Sequence, residues 1–87
     1  MSFKATLKSK VVSGNDIIQK DGYTSIRFEN IGIDNAILND NIPLPAGKIK
    51  FWENQPGVII DENSLIRFEN ISADKRVLVE MFYIKIN

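Results

Sequence analysis

The chain has 87 residues, 44% of them hydrophobic and 25% charged, which is the profile of one ordinary folded domain and not of a disordered segment. Eleven Lys and Arg residues balance eleven Asp and Glu, so no net field draws the protein to nucleic acid or to an anionic membrane. It contains neither Cys nor His, which excludes a disulfide frame, a thiolate nucleophile and the usual zinc sites.

At the N-terminus Phe3, Ala5, Leu7 and Val11 fall on one face of an extended segment, and Lys4, Thr6, Lys8 and Lys10 fall on the other. Such alternation predicts a strand with one wet side, and its lysines discourage stray edge pairing. The segment has no unbroken apolar stretch, so neither a signal peptide nor a membrane span is expected. A short strand around Ile17–Gln19 follows, then a longer one from about Tyr23 to Ile31. Further short strands are predicted across Ala36–Asn39 and Lys48–Glu53. Between them Pro43 and Pro45 lack ladder donors, so that stretch reads as an extended corner. Val58, Ile59 and Ile60 read as a short buried strand after the Pro56-Gly57 turn. The last strand, from Arg76 to Ile86, is apolar on both faces, so it either lies centrally between two covered layers or gives one face to another chain. Leu78, Phe82, Ile84 and Ile86 are assigned to the core, and Val77, Val79, Met81 and Tyr83 to the opposite face.

Turn-forming residues recur between these segments, and no long window keeps a helical period. The fold class is therefore all-β: a small antiparallel β-sandwich or jelly-roll-like barrel of about seven or eight short strands. The hexapeptide Ile-Arg-Phe-Glu-Asn-Ile occurs at Ile26–Ile31 and again at Ile66–Ile71. Asp21 answers Asp61, Asp34 answers Asp74, and Leu38 answers Leu78. One strand–turn–strand unit is used twice. The single domain, 1–87, thus divides into N-terminal strands over 1–22, a first unit over 23–40 and a second over 63–80. In each unit Ile26 and Phe28, or Ile66 and Phe68, should face the core. If the copies were antiparallel neighbours with Phe28 opposite Phe68, Arg27 would meet Glu69 and Glu29 would meet Arg67. Placement in opposite sheets is the competing arrangement.

Little in the sequence points to catalysis. The acidic residues fall in turns or on the charged face of the repeats, where Arg27/Glu29 and Arg67/Glu69 read as cross-strand ion pairs. The glycines form no phosphate-cradling loop. Asn39-Asp40-Asn41 and Asp61-Glu62-Asn63 carry oxygen ligands suited to calcium, but the same residues are ordinary turn formers. No catalytic residue, metal or cofactor is expected. The chemistry that remains is contact. The doubly apolar last strand gives Val77, Val79, Met81 and Tyr83 as candidate interface residues. Trp52, next to Phe51 in a strand, is a second candidate anchor, either exposed to a partner or capping the core rim.

The run Ile-Arg-Phe-Glu-Asn-Ile-Gly, a polar turn, a second strand, then Ile-Pro-Leu-Pro-Ala-Gly leading into Lys-Ile-Lys-Phe-Trp resembles small β-sandwich modules of bacteriophage virion proteins. The likeness covers Tyr23 to about Ile71. It implies capsid decoration, fibre attachment or a tail accessory role in a virion assembled in the host cytoplasm. The partners would be proteins, namely further copies of the chain in a homo-oligomer or a capsid, tail or fibre protein, with no nucleic acid or membrane involved. Near-zero net charge favours such a life in an assembly. Two alternatives are a carbohydrate- or receptor-binding module using Trp52, Tyr23 and Tyr83, and a cytoplasmic adaptor or inhibitor of a host protein.

Overall fold

The computed structural model describes residues 3–55 and 57–86, with side chains described for 4–55 and 57–84. Expected placements of the Phe3 and Ile86 side chains and of Pro56 lie outside these. Eight strands run in chain order: β1 (Phe3–Val12), β2 (Asp16–Ile18), β3 (Ser25–Asn30), β4 (Ala36–Leu38), β5 (Ile42–Leu44), β6 (Ile49–Glu53), β7 (Ser64–Phe68) and β8 (Val77–Ile86). They form two four-stranded sheets, β1-β8-β3-β6 and β2-β7-β4-β5. Every pairing is antiparallel. Pairing β1 with β8, β2 with β7, β3 with β6 and β4 with β5 is the wrapping pattern of a jelly roll. The two sheets enclose one core that includes Ile18, Tyr23, Ile26, Phe28, Leu38, Leu44, Ile66, Phe68, Val77 and Val79.

The repeated hexapeptide supplies one strand to each sheet, β3 to the first and β7 to the second. Opposite sheets is thus the arrangement found, and the direct pairing of Phe28 with Phe68 is ruled out. Both phenylalanines are buried, as are Ile26 and Ile66. Each copy's first strand pairs with the other copy's second strand, β3 with β8 and β7 with β4. The registers differ. Phe28 lies opposite Val79, whereas Phe68 lies opposite Ala36, whose counterpart in the second copy is Arg76. Arg76 and Val79 are three residues apart, and an odd offset turns a strand over because side chains alternate with period two.

This offset overturns the face assignment of the last strand. Leu38 is buried, as expected, but its counterpart Leu78 is not; Val77 and Val79 are fully buried and Met81 is 8% exposed. The candidate interface residues Val77, Val79 and Met81 are therefore core residues. Leu78, Phe82 and Ile84, half-buried, point outward instead. A second correction follows from the ladder of β1 on β8, which sets Leu7 beside Phe82 and Val11 beside Leu78. Ala5, Leu7 and Val11 thus share the outward face, Leu7 and Val11 being 53% and 50% exposed. The Lys-bearing side of β1 is wet as well, because among its described side chains only Val12 reaches the core. Val58–Ile60 forms no strand, and Val58 and Ile59 are exposed.

The two copies clasp each other through their turns. Asp34 is fully buried and its carboxylate accepts the backbone N–H groups of Asn70 and Ile71 at 2.9 and 3.0 Å. In return the Asp74 carbonyl accepts the N–H groups of Ile33 and Asp34. Asn30, also buried, donates its amide to the carbonyls of Asp34 and Leu44 and accepts the N–H of Gly32. Burying these polar groups is tolerable only because each finds a partner. Asn39 and Asp40 lie in the left-handed region, with φ of 51° and 67°, which Asn and Asp enter more readily than most residues. Asp40 meets Arg67 and Asn39 caps the Leu65 N–H, so this is a turn, as its composition indicated.

Candidate interaction surface

The outward face of the sheet β1-β8-β3-β6 can be read row by row from its registers. One row runs Leu7, Phe82, Ser25, Glu53; the next Ser9, Glu80, Arg27, Phe51; the next Val11, Leu78, Glu29, Ile49. Apolar side chains, namely Leu7, Phe82, Phe51, Ile49, Val11 and Leu78, thus flank a short charged centre of Glu80, Arg27 and Glu29, with Ser9, Ser25 and Glu53 between them. Phe51 and Phe82 meet edge to face, with ring centroids 6.2 Å apart at 82°, a favourable aromatic geometry. Ser25, opposite Phe82, is only 4% exposed despite its outward direction. Ile49 and Phe51 remain 50% and 46% exposed.

At the centre the Arg27 guanidinium donates to Glu80 at 2.6 Å and to Glu29 at 3.1 Å. The expected pairing with Glu69 is replaced by a cross-strand contact to Glu80 and a same-strand contact to Glu29. All three side chains are about a quarter exposed, so screening by water is partial. Their net contribution to stability is correspondingly modest.

The two remaining candidates lie elsewhere. Trp52 points inward from β6, packs edge to face on Phe28 at 5.7 Å, and is half-buried. It lines a cleft of about 570 Å³ with Ile42, Ile59, Ile60 and Asp61, where the open side of the sandwich lies. Tyr83 packs edge to face on the buried Tyr23 at 6.1 Å. Its hydroxyl donates to Asp21 at 3.0 Å, and Lys8 sits 5.0 Å from its ring. Burial, then the Asp21 carboxylate, push its hydroxyl pKa up to about 12. Trp52 and Tyr83 line different clefts, so the structure does not join the five candidate interface residues into one surface. What sequence reasoning missed is Leu7, Val11, Phe51 and Phe82. The alternation of β1 carries the signal for Leu7 and Val11 and that of β8 the signal for Phe82, but alternation alone sends both sets to the core; Phe51 shares its ambiguity with Trp52.

Among the described residues no group of three or more Asp, Glu, Cys or His could hold a metal ion. No helix among them is long and apolar enough to cross a membrane. No protein-family model, curated protein or solved structure matches the chain.

Proposed function

We propose that the protein is a non-enzymatic structural subunit that works through protein–protein contacts, as a decoration, fibre-attachment or tail accessory component of a phage particle or related assembly. The observation that carries this reading is the outward face of the first sheet. Leu7, Val11, Ile49 and Phe51, each about half exposed, share it with Phe82 and Leu78. Half-exposed apolar side chains gathered on one sheet face around a small charged centre are the make-up of a contact surface. The jelly roll is a recurrent architecture of viral capsid and lectin domains alike, so the fold is compatible with this setting and the choice rests on the surface.

One further observation fits a role without chemistry, and another bears on the glycan-binding alternative. Most acidic side chains are engaged structurally: Asp34 in the turn clasp, Glu29 and Glu80 with Arg27, Asp40 with Arg67, Asp74 with Arg76. The glycan-binding alternative needs Trp52 and a tyrosine on one exposed platform. Tyr23 is buried and Tyr83 lies in a different cleft, which weakens that alternative. The test is recovery of the tagged chain in gradient-purified particles from cells that produce it. The expected result is a fixed copy number per particle, abolished by Leu7→Glu with Val11→Lys in a chain that still folds. A chain that stays at the top of the gradient, with and without these substitutions, would overturn the proposal.

A further inference from the structure

Each sheet ends in two edge strands, and an unprotected edge is a template for pairing. Three of the four edges are guarded. The edge strand β5 carries Pro43, which has no N–H to donate. Only three residues make up β2. Along β1, any two-fold antiparallel register that overlaps more than half the strand sets one of Lys4, Lys8 and Lys10 opposite another, and like charges in that position repel.

The remaining edge, β6, has no such guard. Asn30 donates its N–H to the Lys48 carbonyl at 3.0 Å, and Asn54 donates to the Thr24 carbonyl at 2.9 Å. Hydrogen-bonding direction alternates along an antiparallel strand. Lys48, Lys50, Trp52 and Asn54 therefore turn their backbone groups toward β3, and Ile49, Phe51 and Glu53 turn theirs away. Among the described residues, no backbone bond from the turns and loops reaches those three residues.

We propose that a second copy of this chain pairs along the free edge of β6, antiparallel about a two-fold axis at Phe51, an interface that goes beyond the contact role proposed above and specifies it. The register is selected by two independent features. With Phe51 opposite Phe51, Ile49 falls opposite Glu53, so all three outward residues meet outward residues and every free N–H and C=O is used. A shift of two residues in either direction leaves one of the three without a partner. The same register sets Lys50 opposite the partner's Trp52, twice by symmetry. Within one copy Lys50 already lies 5.7 Å from the centroid of the Trp52 ring, and a cation over an indole is the stronger form of that contact. Shifting one way brings Lys50 opposite Lys50, which is repulsive. The paired sheets become one eight-stranded sheet, β1-β8-β3-β6-β6-β3-β8-β1, whose two apolar faces lie on the same side.

Phe51→Cys tests the register directly, because the chain contains no other cysteine. Directly opposite, hydrogen-bonded residues of antiparallel strands have Cα atoms about 5.5 Å apart, within the range a disulfide spans. Mild oxidation should give a covalent dimer for Phe51→Cys and none for Leu7→Cys, on the opposite edge strand. Sedimentation of the full chain should show a monomer–dimer equilibrium, and Phe51→Glu should raise its dissociation constant by about tenfold or more. No substitution is needed for the third measurement. Amide exchange at Ile49, Phe51 and Glu53 should slow as protein concentration rises. A chain that is monomeric at every concentration, with concentration-independent exchange at those amides, would overturn the pairing. So would cross-linking through Leu7→Cys alone. A monomer that still joins particles would overturn this interface and leave the contact role intact; a dimer that joins none would do the reverse.

Discussion

Phe28 and Phe68 hold the same place in two copies of one hexapeptide, yet they enter the core from opposite sheets. Phe28 is 0% exposed and Phe68 is 5% exposed. Each is therefore a separate support of the one cluster that joins the sheets. Phe68→Ala should cost about 3–5 kcal/mol, the combined loss of transfer energy and the cavity left behind. In a domain of this size that is a large share of the total stability. Urea denaturation of the variant checks it, and a loss below about 1 kcal/mol would contradict the burial.

The clasp between the copies gives a second pair of expectations. Asn30→Asp replaces a donor by an acceptor facing the carbonyls of Asp34 and Leu44, leaving buried groups unpaired at about 1–3 kcal/mol each. A Cβ added at Gly32 would lie 2.6 Å from the Asp74 carbonyl oxygen and 2.7 Å from the Arg76 nitrogen. Both neighbours are backbone, so Gly32→Ala should cost about 1–3 kcal/mol. The second copy carries Ser72 at the matching position, and Ser72→Ala should change stability by no more than about 1 kcal/mol. Thermal unfolding of the three variants separates these outcomes.

Much of this architecture was legible in the residues. Periodicity and turn spacing indicated an all-β fold of about seven or eight strands, and the duplicated hexapeptide located its core residues correctly in both copies. But Ile42–Leu44, expected as a corner, is the edge strand β5, and Val58–Ile60, expected as a strand, is a loop. What could not be read was the register of the second strand of each unit. Leu78 matches Leu38 in sequence, and a matching fate follows only if both copies pair alike. A three-residue offset between Val79 and Arg76 as partners reversed the last strand, and β1, paired to it, reversed too. Local alternation defines two faces but not which one the other sheet covers. Alternation does not decide between Phe51 and Trp52 for the same reason, and the structure sends Phe51 out and Trp52 in.

The reversal is open to test by charge insertion. Val79→Lys places a cation in the closed core and should unfold the chain. Leu7→Lys, at a position 53% exposed, should shift stability by about 0.5 kcal/mol or less. Circular dichroism and a denaturation curve for each variant decide between the two face assignments, since a core built from Leu7 and Leu78 would give the opposite order.

Tyr83 sets a dependence on alkaline pH. Its hydroxyl titrates near 12 in the folded chain against an ordinary 10.0, through burial first and the Asp21 carboxylate second. Burial likewise raises Tyr23. Between those values the unfolded chain has lost its tyrosine protons while the folded chain keeps them. The unfolded state then binds fewer protons, so stability falls as pH rises. Stability from this source is complete below about pH 10 and fades toward pH 12. Denaturation midpoints across that window should decline in the native chain and decline less in Tyr83→Phe.

The central claim is that the outward face of the first sheet is where this protein meets its partner. Hydroxyl-radical footprinting of the free chain and of the chain within purified particles tests it most directly. Leu7, Val11, Phe82 and Phe51 should be labelled in the free chain and protected on assembly. Ile33 and Ile71, 65% and 66% exposed and outside that sheet, serve as internal references and should label equally in both. Protection at Ile33 and Ile71 with Leu7 and Val11 unchanged would contradict the account.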